Sequence, residues 1–494
     1  MIEPVEAEMA RPPIYNDRQE QILQDEGVEL DNAVTRNSLA ASDPTLRHEA
    51  AIEAEKHHGM ILVDFEPGTK EDPREWGNHR KWFVTIGCAL LCISVALGSA
   101  MPTGDMPSQA KDLHVSMEVI FISISLFVLG FGVGPLIFAP LSEMIGRKPV
   151  YSVSICLYFL FTLPSCLAKN IATMLAGRMI AGIASSAPMT NVGGSIADVW
   201  AVEERGIPMA IFSMTLFMGP CLGPLFGGWI ALKTHQWRWI YWVLFIFLGV
   251  VSVFTFIMPE TYAPILLRRK AKKLNKEHNT DVYISKHDID QPPFKERLQT
   301  SLLRPFVLMF CEPIILFMSF FLSFIYSLLY ALFFAFPIAF EEIRGWNIGM
   351  TGVSFVSIII GISIAMLCML FQEKLYATHC HNAGKSVPEA RLYPMMVGAI
   401  VMPISLFIFA FTTYEHHPVH WIGPMVAGVL FGFSMLIIYI SANSYIVDSY
   451  ANFAASAVAA KTFMRSCIGA SVPLWVSTPP IPYCSPLAIQ PPPP

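Results

Sequence analysis

The chain has 494 residues, of which 54% are hydrophobic and 14% charged, whereas an ordinary soluble domain is about a quarter charged. With a mean hydropathy of +0.50, this excludes a soluble globular enzyme, a disordered protein and a nucleic-acid binder, and leaves an integral membrane protein with many spans. The net charge of −5 averages two unlike parts, since residues 1–80 hold 18 acids to 8 Lys/Arg and the remainder holds 20 to 25.

Residues 1–80 contain no apolar run long enough to cross a bilayer and no short apolar segment behind a basic start, so no cleaved signal peptide is expected. Their Glu, Asp, Asn, Ser and Ala content predicts a disordered, acidic cytoplasmic tail. From Trp82 onward, eleven stretches of about 20 apolar residues follow, each long enough to cross ~30 Å of hydrocarbon as a helix. The expected spans are 82–101, 119–138, 149–168, 172–192, 207–231, 239–258, 313–337, 350–371, 393–413, 419–442 and 453–475. With the N-terminus in the cytoplasm, the inner side carries 19 Lys/Arg and the outer side 5, the asymmetry expected of inner loops. The predicted fold is all-α and polytopic. It divides into a bundle over 81–258, a basic cytoplasmic loop over 259–312 with Arg268-Arg269-Lys270 and Lys272-Lys273, and a bundle over 313–475. Six spans, a long loop and a second set is the pattern of a transporter built from two parallel repeats.

The second set is one helix short. Eight of the last sixteen residues are proline, and proline in a helix interior costs about 3 kcal/mol. Residues 476–494 are therefore expected not to span. Either the end is truncated or altered, or the chain is an eleven-span variant. The ten cysteines form no CxxC pair and read as small apolar fillers. His379-Cys380-His381 has ligand chemistry but no second ligand cluster, so neither a metal nor a cofactor is expected.

Three motifs carry chemistry. The inner turn between spans two and three reads Pro140-Leu141-Ser142-Glu143-Met144-Ile145-Gly146-Arg147-Lys148-Pro149. Its acid, glycine and two cations suit a conformational latch made by Glu143, Gly146, Arg147 and Lys148; ordinary positive-inside decoration is the plainer reading. Span four carries Arg178, whose charge costs at least ~2.5–3.5 kcal/mol inside a membrane and so calls for a polar cavity or a partner. Span five reads Gly219-Pro220-Cys221-Leu222-Gly223-Pro224-Leu225-Phe226-Gly227-Gly228. Glycines recurring every four residues let two backbones approach closely, and the two prolines remove helix hydrogen bonds. A bent helix seamed to a neighbour suits a moving part.

In this order the motifs resemble the major facilitator superfamily, and within it the fungal drug:proton antiporter family with twelve spans, the polyamine and multidrug exporter clade. Trp237-Arg238-Trp239-Ile240-Tyr241-Trp242, Pro259-Glu260-Thr261-Tyr262-Ala263-Pro264 and Leu266-Leu267-Arg268-Arg269-Lys270-Ala271 are similar to that clade too. The resemblance covers roughly 75–475, and its span-five motif marks antiporters. The family's loop motif has Gly, Asp and Arg where this chain has Ala139, Glu143 and Met144, and Ala181 stands where a Gln is common. The resemblance implies a monomeric plasma-membrane (or vacuolar) carrier, working by alternating access. It is expected to exchange protons for small hydrophobic or cationic compounds such as drugs, toxins or polyamines. A nutrient-uptake carrier of the same fold and an inactive truncated membrane protein are the alternatives.

Proton coupling needs a titratable group that changes surroundings between states, and Arg178 with Asp105 or Asp448 is the expected set. Asp448, Lys461 and Arg465 also lie close enough in sequence to neutralise one another at an inner helix end. Span seven supplies aromatics on two faces, one for lipid and one for flat cargo. Phe320, Phe324, Tyr326 and Tyr330 are the expected pocket residues, with Asn191 and Asn443 adding hydrogen bonds. Nothing in the sequence points to an enzyme: it has no nucleophile–base pair and no nucleotide loop.

Overall fold

Apolar stretches that must satisfy their backbone bonds internally become helices. The computed structural model describes residues 61–476 apart from 67, 202–203, 205, 281, 286–293, 384–387, 414–419 and 451–453. The expectations for 1–60 and for the proline-rich 477–494 lie outside the described residues. The membrane helices in chain order are α1 (Asn78–Ala100), the short α2 (Met106–Asp112), α3 (Met117–Ile145), α4 (Arg147–Cys166), α5 (Ile171–Ser185), α6 (Ala187–Val199), α7 (Gly206–Thr234) and α8 (Arg238–Ile257). After α9 (Ala263–His278) and α10 (Phe294–Cys311) come α11 (Pro313–Pro337), α12 (Ile348–Ser354), α13 (Val356–Ala383), α14 (Leu392–Thr412), α15 (Ile422–Ser449) and α16 (Ala454–Val476).

Among the described residues, nine helical segments are long and apolar enough to cross a membrane. The two other expected spans correspond to α5 with α6, divided at Ser186, and to α16, which carries Lys461 and Arg465. The division has a local cause. Pro188 has no N–H to give to the Ala184 carbonyl, and the Ser154 hydroxyl donates to that carbonyl instead, at 2.6 Å.

The acidic leader is less featureless than its composition implies. Trp76 is buried, and Asp72 caps a 3-10 turn over Pro73–Glu75. Residues 61–64 and 267–285 form a small unit of their own. In it β1 (Ile61–Val63) pairs in parallel with β2 (Tyr283–Ser285), Ile61 opposite Tyr283. The Asn275 side chain bonds both the N–H and the C=O of Tyr283, at 2.9 and 2.8 Å, and Lys270 Nζ donates to the Asp64 carbonyl.

In the helical body, ion pairs and hydrogen bonds between loops follow the alternation of spans. Arg238 at the start of α8 meets Asp112 at the end of α2 at 2.6 Å and the Ala168 carbonyl after α4 at 2.7 Å. On the opposite face, Trp200 after α6 donates to Thr85 near the start of α1 at 3.0 Å, and Lys81 lies 3.7 Å from Glu204. Large apolar side chains such as Val250, Phe317, Phe407 and Phe411 point outward, as a surface solvated by lipid requires.

Glycine seams hold the body together. In α3 and α5, a Cβ on Gly130 would sit 2.6 Å from the Met179 carbonyl, and Gly182 lies equally tight on the Phe127 backbone. In α13 and α15, Gly361 abuts the Val429 carbonyl and Gly432 the Ile358 carbonyl. The same device thus joins the corresponding helices of the two sets of spans.

Candidate functional site

At the inner turn α3 ends at Ile145, and Gly146 (φ +113°) turns the chain directly into α4. Only glycine fits there comfortably, because of the positive φ and because a Cβ would lie 2.5 Å from Glu260 Oε2. The Glu260 carboxylate accepts from the N–H of Arg147 (2.9 Å) and Lys148 (3.3 Å), at the N-terminus of α4. It also accepts from Thr261 and Tyr262, each at 3.1 Å. This is an acid on a helix N-terminus. The Arg147 guanidinium lies 3.4 Å from Asp198 Oδ2 and donates to Ser142 Oγ at 2.7 Å.

The acids that engage this turn are therefore Asp198 and Glu260, while Glu143 makes neither contact. These residues lie in the first set of spans or, for Glu260, just after its last helix, so the arrangement ties the ends of α3, α4, α6 and α8 together. Asn191 lies beside this turn and is not among the residues lining the cavity between the two sets of spans: it accepts from Ser142 Oγ at 3.0 Å and donates to the Phe138 carbonyl at 3.3 Å. Sequence reasoning passed over Glu260 because its phrase served only as a likeness; its position directly after a span was the available signal.

α7 runs as one helix through Pro220 and Pro224. Gly219 lies on Ala96, and a Cβ on Gly223 would meet the Ala100 backbone carbon at 2.7 Å. Gly227 lies on the Met101 carbonyl. All three face α1 and the turn that follows it. Gly228 turns elsewhere: its Cβ would lie 2.7 Å from the Ile348 carbonyl of α12, and a Cβ on Gly352 would lie 2.6 Å from the Pro224 carbonyl. The fifth span is thus clamped between α1 of its own set and α12 of the other.

Between the two sets lies a small cavity with about 10 Å³ of room for a water-sized molecule. Ala96, Ser99, Phe127 and Pro220 line it from the first set, and Tyr326 and Tyr330 of α11 from the second. The two tyrosine hydroxyls lie 3.3 Å apart. Phe320 and Phe324 do not share this site. They are 60% and 55% exposed, on the lipid-facing side of α11, because three- and four-residue steps from Phe317 carry them round the face opposite to Tyr326.

Arg178 is buried but paired with neither expected acid. It donates to the carbonyls of Gly98 (2.8 Å) and Ser123 (3.4 Å), and its guanidinium lies 4.3 Å from the Phe127 ring centre. Asp105 instead caps α2, accepting from the Ser108 N–H at 3.2 Å. Asp448 accepts from Arg391 at 2.8 Å and from Tyr376 at 3.2 Å, and Arg391 also bonds Glu373 at 2.6 Å. The expected Asp448–Lys461–Arg465 cluster does not form. Asp448 is taken by Arg391 from the preceding inner loop, and the two cations turn into the core.

Lys461 is fully buried, donates to Asn443 Oδ1 and lies 4.6 Å from the Tyr439 ring centre. Arg465 is 4% exposed and lies 4.4 Å from the Tyr326 ring centre. Just outside the spans, Tyr450 donates to Glu312 at 3.0 Å. Burial first, then that bond, pushes its hydroxyl pKa up to about 12.

Residues 76–473 match the sequence model of the Major Facilitator Superfamily. The chain is 43% identical over 416 residues to the transporter paaT of Penicillium rubens, covering 84% of this chain and 75% of that one. It is 40% identical over 427 residues to the multidrug transporter mdrA of Aspergillus fumigatus, covering 83% and 70%. With polyamine transporter 3 of Saccharomyces cerevisiae the identity is 39% over 414 residues, covering 84% and 66%. Among solved structures, the proton:xylose symporter XylE matches with a TM-score of 0.58 at 13% identity, covering 81% of this chain and 88% of that one, which is a likeness of fold. The motif order, the clamped fifth span and these similarities converge: the chain is a multi-pass membrane transporter and belongs to the Major Facilitator Superfamily.

Proposed function

We propose that the protein is a secondary active exporter that exchanges protons for small organic compounds; the names of its multidrug and polyamine relatives support the class of cargo. One observation supports this reading above the others: a small cavity lined from both sets of spans, with the glycine-seamed α7 clamped between them. In this reading the bundles 81–258 and 313–475 rock about the cavity and expose it to one side at a time. The chain works as a monomer in the plasma membrane with its N-terminus in the cytoplasm. Aromatic walls take up flat apolar surface, and the buried polar groups select among cargoes.

The test is export of a preloaded fluorescent dye from cells lacking their own pumps, with and without a protonophore. The expected outcome is export that stops when the gradient collapses. Export that persists without a gradient would remove proton antiport, and a chain that reaches the surface but moves no dye would remove transport.

A further inference from the structure

The core of this transporter carries charge of one sign. Arg178, Lys461 and Arg465 are all buried. Among the described residues only two acids are buried to the same degree, Asp105 and Glu260, and both serve backbone N–H groups elsewhere. The three cations are satisfied by carbonyls, an amide oxygen, ring faces and the Tyr439 hydroxyl, which bonds both Lys461 and Arg465, and incompletely so: Arg178 Nη2 and Arg465 Nε have no hydrogen-bond partner. Burying unpaired cations and orphan donors is unfavourable unless something completes them.

Two of these groups stand behind the cavity walls. The Arg465 guanidinium lies over Tyr326 at 4.4 Å and Phe131 at 5.9 Å, and Arg178 lies over Phe127 at 4.3 Å. All three rings line the cavity, so one guanidinium approaches it from each set of spans. Tyr439 connects Arg465 (5.5 Å) to Lys461 (4.6 Å), which places a second cation behind the first.

Resting on the transport reading above, we infer that this cavity, once widened by the parting of the two sets of spans, is a site for an amphipathic organic anion, an aromatic ring bearing a carboxylate or comparable acid. The ring lies between Phe127 and Tyr326, and the acid is received by Arg465 with Lys461 behind it. A carboxylate accepts bidentately from a guanidinium, which is what the unpartnered Arg465 Nε lacks. An ammonium cargo in the same place would meet like charges.

The test measures equilibrium binding of three isosteric probes to the full chain in nanodiscs of neutral phosphatidylcholine, where no anionic lipid competes. The probes are 1-naphthoate, the neutral 1-naphthamide and the cationic 1-naphthylmethylamine. Naphthoate is expected to bind about tenfold or more tighter than either of the others, as a desolvated charge pair allows. Arg465→Gln is expected to remove that margin, lowering naphthoate binding far more than naphthamide binding, and Arg465→Lys to keep part of it. The inference is overturned if the amine binds best, if acid and amide bind alike, if no probe binds, or if the margin survives in both Arg465→Gln and Lys461→Gln. Should the variants fail to fold, the three probes on the unaltered chain decide the matter. An anion preference without gradient-driven dye export overturns the transport reading alone, and the converse overturns the anion site alone.

Discussion

Tyr326 and Phe324 are two residues apart and live in different solvents. Tyr326 is buried, with its ring on the cavity wall and its hydroxyl 3.3 Å from that of Tyr330, whereas Phe324 is 55% exposed on the outer side of the same helix. The periodicity of span seven separates these two faces in the sequence. Periodicity alone does not say which one turns inward, because lipid tolerates a phenyl ring as well as a core does. The hydroxyls were the discriminating signal, since Tyr O–H groups need a partner when buried. Truncation separates the two positions. Phe324→Ala is expected to change the export rate by less than about twofold, the range of substitutions that leave packing intact. Tyr326→Ala is expected to lower it about tenfold or more, since losing a buried aromatic costs several kcal/mol. Export normalised to surface protein is the measurement, and equal effects at the two positions would place the pocket elsewhere.

At the scale of the element, the glycines of α7 differ in what a side chain would strike. A Cβ on Gly223 would lie 2.5 Å from the Ala100 Cβ and 2.7 Å from the Ala100 backbone carbon, and backbone yields only if the helices part. Forcing extra atoms into such a contact costs about 1–3 kcal/mol, a cost that recurs in every conformation keeping α1 and α7 together. Gly223→Leu is therefore expected to abolish turnover while the protein still reaches the surface. Gly193→Ala is the control, because a Cβ there would meet its nearest neighbour, Phe212, at an ordinary 3.6 Å. Unchanged transport in Gly223→Leu would sink the seam. This spacing was legible in the sequence because four-residue glycine periodicity maps directly onto one helix face. Most helices were legible for a similar reason, as hydropathy reports transfer into lipid whatever the neighbours are. Which acid meets which cation was not legible. Asp198 and Glu260 reach the α3–α4 turn, and Arg391 reaches Asp448, through tertiary approaches over 51, 113 and 57 residues of sequence. Within the stretch expected to be a plain loop, α9 and α10 form as helices, and no long apolar run announced them.

For the whole molecule, the question is which contact must break for cargo to enter. The cavity has room for about one water, so it must widen before an aromatic compound fits. Two of the close contacts between the sets of spans flank it. One joins α7 to α12, with Gly228 at the Ile348 carbonyl and Gly352 at the Pro224 carbonyl; the other joins α3 to α16, where a Cβ on Gly132 would lie 2.5 Å from the Ser466 Cβ. The α7–α12 contact lies toward the end of α7 and the start of α12, on the face that carries Arg238 and Asp112. Widening it acts like a wedge at one end of a rocker: it penalises the present arrangement without touching the cavity lining. Gly228→Leu is therefore expected to shift the population toward the form open on that face. A reporter at Ser99, buried on the cavity wall, reads the shift. In a background without native cysteines, Ser99→Cys is expected to react with a membrane-impermeant thiol reagent about tenfold faster when Gly228→Leu is present, the change produced by a bias of about 1.4 kcal/mol. The reagent is applied from the face of Arg238, and the opposite face serves as the comparison. Equal labelling with and without the wedge would mean that α7 and α12 do not form the gate, and the rocking motion would have to turn about the α3–α16 contact instead.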